Sequence, residues 1–325
     1  MQRVQKNAPG GGTGKHIAMK NVFIDGSAGT TGLRIVERLK RRQDIALLHL
    51  PEQYRKDPAA RKEIMNRADI VFFCLPDDAA REAADLIENE NTAVIDTSTA
   101  HRTGSGWVYG FPEISGLREK IKTAKRIANP GCHASGFIAL AAPLVEAGIV
   151  PANAHLTCTS LTGYSGGGKK MIAEYEGEDR SELLDAPRQY GLSQNHKHLP
   201  EMKKICGLEN APIFCPIVAP YYAGMEVTVP LFAEEIKGGK AEIEAVYADY
   251  YRSGLVRFVK DVSESGFLSA GAFAGRDDME ITVSGNEERL LLVARFDNLG
   301  KGASGAAIQN MNLLLGADEK TGLVV

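Results

Sequence analysis

The sequence predicts an α/β protein, in which a doubly wound and mostly parallel sheet is followed by a second, α+β domain with a mixed or antiparallel sheet. From residue 20 onwards, short apolar strands alternate with segments of helical periodicity, which is typical of parallel sheets covered by helices. Beyond residue 132, longer segments of alternating polarity appear, as in sheets with one solvated face. The length of 325 residues exceeds the size at which one core usually stops growing, so two packed units are expected.

The first domain begins with a strand, a glycine turn and a helix. Residues 22–25 are predicted to form a short buried strand, in which three apolar residues precede Asp25. Leu33, Val36 and Leu39 then recur at helical spacing before a basic end. Residues 70–75 form a continuous apolar run, which is typical of a strand covered on both faces. The other elements predicted in this domain are strands at 44–50 and 93–96 and a helix at 78–89.

The second domain is rich in strands. They are predicted at 155–161, 213–218, 225–232, 279–284 and 289–296. The segment 302–315 returns to helical periodicity and stops at Gly316. We assign residues 1–19 to a flexible tail, 20–131 and 300–325 to the first domain, and 132–299 to the second.

The composition is that of an ordinary globular protein. The net charge of −3 gives no electrostatic footprint for nucleic acid, and no run of about 18 apolar residues supports a membrane helix. The five cysteines are odd in number and scattered, without an apolar leader, so we expect free thiols, no disulfide and a cytoplasmic protein. The glycines of segment 9–15 do not form a phosphate-binding loop, because no strand precedes them and His16 follows the lysine.

The turn after the first strand has the spacing of a dinucleotide-binding loop. Gly26, Gly29 and Gly32 follow a strand and open a helix, and small residues at this spacing let backbone N–H groups approach a diphosphate. The usual carboxylate at the end of the second strand is absent, and the nearby Arg55 and Lys56 favour the 2′-phosphate of NADP over NAD. Solvated surface charge explains these two residues almost as well.

A cysteine lies at a second turn that precedes a helix. Cys132 follows the turn 128–131 and opens an apolar, helix-like stretch. Because a helix N-terminus favours anions, a cysteine in this position can be a nucleophilic thiolate at neutral pH. Taken alone, a cysteine in such a turn is more often a small buried hydrophobe.

The segment 163–167 matches G-x-S-x-G, the motif of a serine hydrolase nucleophile elbow. Asp185 and His196 follow Ser165 in the order that such hydrolases use. A serine esterase is therefore the alternative from another class, but it leaves the glycine turn and Cys132 without a role.

Two imidazoles and a carboxylate lie close together at His196, His198 and Glu201. They supply a proton carrier and a group able to orient it, whereas two neighbouring surface histidines are the plain alternative. No metal site is predicted, because Cys206 and Cys215 lack the short spacing of zinc ligands.

Polar residues follow the predicted strand at 93–96, at the end of the sheet where open α/β folds bind ligands. Ser98 and Arg102 are able to hold phosphate or carboxylate oxygens. Helix capping by Ser98 and an exposed Arg102 are the alternative.

Five segments together resemble the N-acetyl-γ-glutamyl-phosphate reductases, enzymes of arginine biosynthesis related to aspartate-semialdehyde dehydrogenase, and most of all their shorter, second type. The segments are 26–32, 129–132, 163–169, 196–201 and 297–303. The resemblance runs from residue 21 to the C-terminus.

This resemblance implies a role for each site residue. Cys132 is the nucleophile, while His196 and His198 supply the acid and base, with His196 favoured and oriented by Glu201. The first domain binds NADP, and the second carries catalysis and oligomerisation. The implied cofactor contacts are Gly26, Ser27, Gly29, Thr30, Thr31, Ser165, Gly166 and Asn298. The implied substrate contacts are Ser98, Arg102 and Asn129.

The implied reaction is the reversible, NADPH-dependent reduction of N-acetyl-L-glutamyl 5-phosphate to N-acetyl-L-glutamate 5-semialdehyde, through a Cys132 thioester and with release of phosphate. Aspartate-semialdehyde dehydrogenase is the near alternative, since it shares the cofactor, the thiol and the reaction. An NADP-binding regulator with an inert thiol is a third hypothesis. We expect a small-molecule substrate, a homo-oligomer, and neither nucleic acid nor membrane as a partner.

Overall fold

A computed structural model describes residues 19–325. The predicted tail, apart from Met19, and the glycines of segment 9–15 lie outside the described residues. Within those residues the chain forms two sheets, one from its first part and one from the part that follows Cys132.

The first sheet is parallel throughout and has the strand order β2-β1-β3-β4-β6-β5. Its strands are β1 (Lys20–Asp25), β2 (Ile45–Leu47), β3 (Ile70–Phe73), β4 (Ala93–Asp96), β5 (Val108–Tyr109) and β6 (Arg126–Ala128). The helices of this part are α1 (Thr30–Leu39), α2 (Pro58–Arg67), α3 (Asp77–Asp85) and α4 (Leu117–Thr123). The strand order reverses direction beside β1, as in doubly wound folds that bind ligands at that point.

The second sheet is mixed and has the order β11-β12-β13-β10-β7-β9-β8. Its strands are β7 (Thr157–Gly163), β8 (Arg188–Gln189), β9 (Ile213–Ala219), β10 (Met225–Phe232), β11 (Val256–Phe258), β12 (Met279–Gly285) and β13 (Arg289–Phe296). The helices of this part are α5 (Cys132–Glu146), α6 (Gly168–Glu176), α7 (Leu199–Cys206), α8 (Lys240–Tyr250) and α9 (Gly305–Leu315). The central pairs β12–β13, β13–β10 and β10–β7 are antiparallel, whereas β7–β9 and β11–β12 are parallel.

Both faces of the first sheet are covered by helices. Ile35 of α1, Ile121 of α4 and Met311 of α9 pack on one face, so the C-terminal helix returns to the first sheet. Met65 of α2 and Ala80 of α3 pack on the other face. The apolar run predicted at 70–75 is therefore explained by a strand with helices on both sides.

Helix α5 is the centre of the second core. It is buried over nearly its whole length, and Phe137 and Leu140 pack with apolar residues of the second sheet, including Val227 and Phe296. Burial of the whole helix fixes its first residue, Cys132, at the junction between the two sheets.

The predicted fold class is confirmed, but several element boundaries differ. The second strand is shorter than predicted, and the helix predicted at 78–89 ends at Asp85. It ends there because the Asn66 side chain accepts hydrogen bonds from the backbone N–H groups of Glu88 and Asn89, which holds that segment in a turn. The last helix starts at Gly305 rather than 302, since a turn of π-helix occupies Gly300–Ser304.

All five cysteines are free thiols. In residues 19–325 we find no cluster of three or more His, Cys, Asp or Glu side chains placed to hold a metal ion. The same residues contain no helix with the length and apolar character needed to cross a bilayer.

Candidate active site

The glycine turn between β1 and α1 forms one wall of an open crevice of about 630 Å³. Gly26 has φ +83°, and a Cβ there would collide with the carbonyl oxygen of Cys74. A Cβ on Gly32 would lie 2.6 Å from the Gly26 carbonyl oxygen, so the turn closes tightly only with glycine at both positions. Gly29, Thr30 and Thr31 line the crevice, whereas Gly26 shapes it from behind and Ser27 is exposed outside it.

The crevice suits a diphosphate. The first N–H groups of α1 have no partner within the helix, and the helix dipole favours an anion at this end. The Thr30 hydroxyl is buried and has no hydrogen-bond partner in the described part of the chain. A phosphate oxygen bound here would accept hydrogen bonds from the unpaired Thr30 hydroxyl and from the free backbone N–H groups beside it.

Arg55 and Lys56 do not reach this crevice. Arg55 pairs with Glu52 at 3.0 Å on an exposed short turn, and neither basic residue lines the cavity. The surface-charge explanation of these two residues is therefore the one that fits the structure.

Cys132 lies at the first turn of α5 and lines a second cavity of about 430 Å³. Thr31, Thr97, Arg102 and Lys197 line both cavities, so the cysteine cavity and the glycine crevice are continuous.

The helix N-terminus does not by itself favour a Cys132 thiolate in the free protein. Burial raises the pKa of the Cys132 thiol above its ordinary value, although the charge of Arg102, the backbone N–H of His133 and the charge of Lys197 all act to lower it. The helix N-terminus was visible in the sequence, but the desolvation that outweighs it was not. A base must therefore take the proton before the sulfur can attack.

Arg102 and Glu201 form a buried ion pair behind the cysteine turn. The Arg102 Nη1 donates to Glu201 Oε1 at 2.7 Å, and both side chains are nearly inaccessible to solvent. The other Glu201 oxygen accepts hydrogen bonds from the Tyr109 hydroxyl at 2.7 Å and from the Gly131 backbone N–H at 3.2 Å. Glu201 thus holds the residue immediately before Cys132.

This arrangement corrects one expectation from the sequence and excludes one alternative. Glu201 does not orient His196; its nearest imidazole is that of His198, whose Nε2 lies 3.9 Å away. Arg102 is buried rather than exposed, and it also donates to the backbone oxygens of Asn129 and Thr97. Its charge is balanced by Glu201 before any substrate arrives.

The two predicted imidazoles both line the cysteine cavity, and their rings stand 4.7 Å apart between centroids. Burial lowers the pKa of His196, and burial together with Arg102 lowers the pKa of His198 much further, so both rings are neutral near pH 7. The His196 Nδ1 accepts the His198 backbone N–H at 3.2 Å, which puts the proton of neutral His196 on Nε2. The His198 Nδ1 is buried and has no partner among residues 19–325.

His133, next to the cysteine, is a buried structural histidine. Its Nδ1 lies 2.7 Å from Ser160 Oγ and its Nε2 lies 2.7 Å from the Tyr190 hydroxyl. Burial lowers its pKa to about 3, so the ring carries no charge that could stabilise a thiolate. Only its backbone N–H acts on the sulfur.

The geometry contradicts the serine esterase alternative. Ser165 is buried and accepts a hydrogen bond from Asn298 Nδ2 at 2.9 Å. Asp185 is exposed and pairs with Arg180 instead of His196. Ser165, His196 and Asp185 therefore do not form a catalytic triad.

Asn298 ties two loops together at the wall of the cysteine cavity. Its Oδ1 accepts the Gly224 backbone N–H at 3.0 Å, while its Nδ2 donates to Ser165. Asn298 and Gly166 line the cavity, whereas Ser165 supports it from behind.

The two remaining predicted substrate residues are already committed to other bonds. Ser98 lines the glycine crevice rather than the cysteine cavity, and its hydroxyl donates to Asp96 at 2.7 Å. Asn129 lines the cysteine cavity, but its Nδ2 donates to the Ala303 carbonyl and its Oδ1 accepts from Asn310. Both residues hold the walls of the site.

The sequence reasoning missed three residues at the site. Lys197 lines the cysteine cavity, and its position between the predicted His196 and His198 could have identified it from the sequence. Gly302 lies in the π-helical turn, where an added Cβ would come within 3.0 Å of Cys132 Cβ, and a π-turn often marks a functional site. Tyr190 lines the cavity without any local sequence signal.

Family models of the semialdehyde dehydrogenases match most of the chain. The model described as "Semialdehyde dehydrogenase, NAD binding domain" matches residues 21–124. The model described as "Semialdehyde dehydrogenase, dimerisation domain" matches residues 132–298.

Curated relatives are similar over nearly their whole length. The N-acetyl-gamma-glutamyl-phosphate reductase 2 of Nostoc sp. is 43% identical over 319 residues, which cover 93% of this chain and 98% of the relative. The N-acetyl-gamma-glutamyl-phosphate reductase of Chelativorans sp. is 46% identical over 308 residues, covering 90% and 97%. That of Brucella ovis is 45% identical over 305 residues, covering 91% and 98%.

Solved structures with low identity share the fold. Aspartate semialdehyde dehydrogenase II of Vibrio cholerae has a TM-score of 0.69 at 16% identity, covering 92% of this chain and 98% of that chain. Aspartate semialdehyde dehydrogenase with NADP from Candida albicans has a TM-score of 0.64 at 16% identity, covering 92% and 99%.

Proposed function

This chain belongs to the semialdehyde dehydrogenase family and, within it, to the N-acetyl-γ-glutamyl-phosphate reductases; on that premise we propose how it performs their reaction. It reduces N-acetyl-L-glutamyl 5-phosphate to N-acetyl-L-glutamate 5-semialdehyde with NADPH and releases phosphate, in arginine biosynthesis. The observation that carries the proposal is that Cys132 and two neutral imidazoles share a cavity continuous with the glycine crevice.

NADP is the cofactor. We assign the residues of the glycine crevice as its binding site. The N-terminus of α1 with Gly29, Thr30 and Thr31 would hold the diphosphate, and Gly26 shapes this turn from behind, whereas Ser27 lies outside the crevice. Gly166 and Asn298, supported by Ser165, would face the nicotinamide end of the bound cofactor. When bound, NADPH supplies the hydride that reduces the acyl thioester to a thiohemiacetal oxyanion.

The first half-reaction forms the thioester. The sulfur–carbon bond forms as the bond between the acyl carbon and the phosphate oxygen breaks, and the electron pair leaves with phosphate. The neutral imidazole of His198, which lines the cavity together with Cys132, takes the thiol proton and passes it to the departing phosphate. The raised pKa of Cys132 makes this base necessary.

The second half-reaction releases the aldehyde. The Nε2–H of His196 donates to the acyl oxygen and stabilises the oxyanion as its charge develops. The carbon–sulfur bond then breaks, and one proton drawn from solvent through the imidazoles returns to Cys132. Glu201 and Arg102 hold the Gly131–Cys132 turn in place throughout.

We assign cofactor binding to residues 20–131 and 300–325, and catalysis and self-association to 132–299. The face of the second sheet turned away from α5 carries exposed apolar side chains of β9, β10 and β13, namely Ile213, Phe232 and Leu291. Such a patch, in the segment that matches a dimerisation domain, supports a homodimer across this face. Five free thiols suit a reducing compartment, so the proposal includes the cytoplasm.

Phosphate-dependent reduction of NADP, measured with N-acetylglutamate semialdehyde and aspartate semialdehyde side by side, tests the assignment. We expect turnover with the acetylated substrate and at least about a hundredfold lower kcat/KM with aspartate semialdehyde, because a pocket fitted to a longer, acylated chain leaves polar groups unpaired with the shorter one. Preference for aspartate semialdehyde would overturn the substrate assignment while leaving the chemistry intact.

A further inference from the structure

Lys197 occupies the junction between the two cavities without an ion-pair partner in the described residues. It lies between His196 and His198 and lines both the cysteine cavity and the glycine crevice. Its side chain is exposed, so its ammonium group is free to point into the open junction.

The cysteine cavity has no other uncompensated positive charge within residues 19–325. Arg102 is the other cation in its wall, but that guanidinium is bound to Glu201 and to two backbone oxygens. The imidazoles in the wall are neutral near pH 7, because burial and neighbouring cations lower their pKa values. No carboxylate of the described chain lines the cysteine cavity. Asp77 and Asp78 line the adjoining crevice, but neither forms an ion pair with Lys197.

The reaction brings the cofactor diphosphate, the substrate α-carboxylate and the phosphoryl group of the acyl phosphate to the site, and of the two substrate anions only the phosphoryl group is bonded to the reacting carbon through its oxygen. The N-terminus of α1 is suited to the cofactor diphosphate, which leaves the phosphoryl group of the acyl phosphate in need of a cation of its own. That group must stand beside the carbon attacked by Cys132 and must depart into open space. Lys197 lines both the cavity that holds Cys132 and the open crevice that holds Asp77, which places its side chain between the sulfur and the open crevice.

We infer that Lys197 binds the phosphoryl group of the acyl phosphate, and inorganic phosphate in the reverse direction. This inference rests on the proposed function and adds the residue that recognises the leaving group. Held there, the ammonium stabilises the charge that accumulates on phosphate as the carbon–oxygen bond breaks.

The test uses Lys197→Met, with Lys197→Arg to restore the charge. The matched control is Lys203→Met, which removes an exposed lysine of α7 that lines neither cavity. In the reverse reaction, we expect Lys197→Met to raise the KM for phosphate at least about tenfold, the value of one charge-assisted contact, with the KM for NADP and for the semialdehyde unchanged. Lys197→Arg recovers most of this loss, and Lys203→Met stays within about twofold of wild type, as expected for a surface change.

A second measurement needs no turnover. Inorganic phosphate should slow the alkylation of Cys132 by iodoacetamide, and Lys197→Met should need at least about tenfold more phosphate for the same protection. An unchanged phosphate KM and unchanged protection in Lys197→Met would overturn the inference and leave Arg102 as the phosphate ligand. A wild-type enzyme inactive with N-acetylglutamate semialdehyde would overturn the proposed function itself.

Discussion

The glycine crevice and the cysteine cavity adjoin each other but are built in different ways. One wall of the crevice is the turn 26–32, where glycines without side chains let the backbone close, and segments 74–78 and 97–102 are among its other walls. The cysteine cavity is assembled from segments far apart in the chain, and its walls are held by buried side-chain bonds such as Arg102–Glu201. We therefore expect an added side chain to disrupt the glycine turn, whereas the loss of a buried charge should disrupt the walls of the cysteine cavity.

The largest expected effect is a loss of turnover from a change in the cysteine cavity that leaves cofactor binding in the glycine crevice intact. Cys132→Ser should lower kcat by at least about 10³-fold, because the covalent step loses its nucleophile. The Kd for NADPH, measured by fluorescence titration, should be unchanged since Cys132 lies outside the glycine crevice. Near-normal turnover in this variant would show that Cys132 is not the nucleophile and that the cysteine cavity does not carry the covalent step.

The next change tests whether buried charge holds the cysteine cavity. Glu201→Gln leaves the Arg102 guanidinium buried without a counter-charge, which should cost about 3 to 5 kcal/mol of unfolding free energy in urea titrations. The matched control is Glu209→Gln, which changes an exposed carboxylate and should be nearly neutral. Equal stability of the two variants would show that the ion pair does not hold this wall.

Lowering the pH should decrease the free energy of unfolding, because two histidines beside the cysteine cavity are buried in their neutral form. The folded-state pKa values of His133 and His198 lie below their unfolded values, so the unfolded chain binds more protons once the pH falls below about 6.5. Stability is therefore fully present above that pH and should decline by about 1.4 kcal/mol per pH unit for each buried ring as the pH falls towards 5.5.

His133→Gln isolates one of these contributions. Urea titrations at pH 7.5, 6.5 and 5.5 should show a shallower decline than wild type, because one proton-binding group is lost from the unfolded chain. Parallel profiles for the two proteins would mean that His133 is not buried in its neutral form.

The smallest expected effect lies in the crevice. Gly32→Ala places a Cβ 2.6 Å from the Gly26 carbonyl oxygen, which forces the turn open and should raise the Kd for NADPH about tenfold. The alkylation rate of Cys132 should not change. Gly271→Ala is the control, since its nearest neighbour to an added Cβ is Ser269 Oγ at an ordinary 3.6 Å.

The difference between a turn formed by one local segment and a cavity formed by distant segments also explains which features the sequence could predict. The glycine turn, the strands on either side of it and the position of Cys132 before a helix depend on local spacing, and the predicted parallel sheet and mixed sheet both formed. Elements of two or three residues, such as β5, β6, β8 and β11, carry too little periodicity to be recognised.

The errors at the site concern burial and pairing over long distances. The partner of Glu201 is Arg102, 99 positions earlier, and no local pattern connects them. The raised pKa of Cys132 could not be predicted for the same reason, because a helix N-terminus is recognisable in the sequence whereas the desolvation of the thiol depends on the whole fold.

The most direct test of the covalent account is a rapid-quench experiment with N-acetylglutamyl phosphate and no NADPH, followed by mass spectrometry of the peptide that contains Cys132. The account predicts release of one phosphate per active site and an N-acetylglutamyl adduct on Cys132 that disappears when NADPH is added. Phosphate release only after NADPH is added, or an adduct on Ser165 instead, would contradict it.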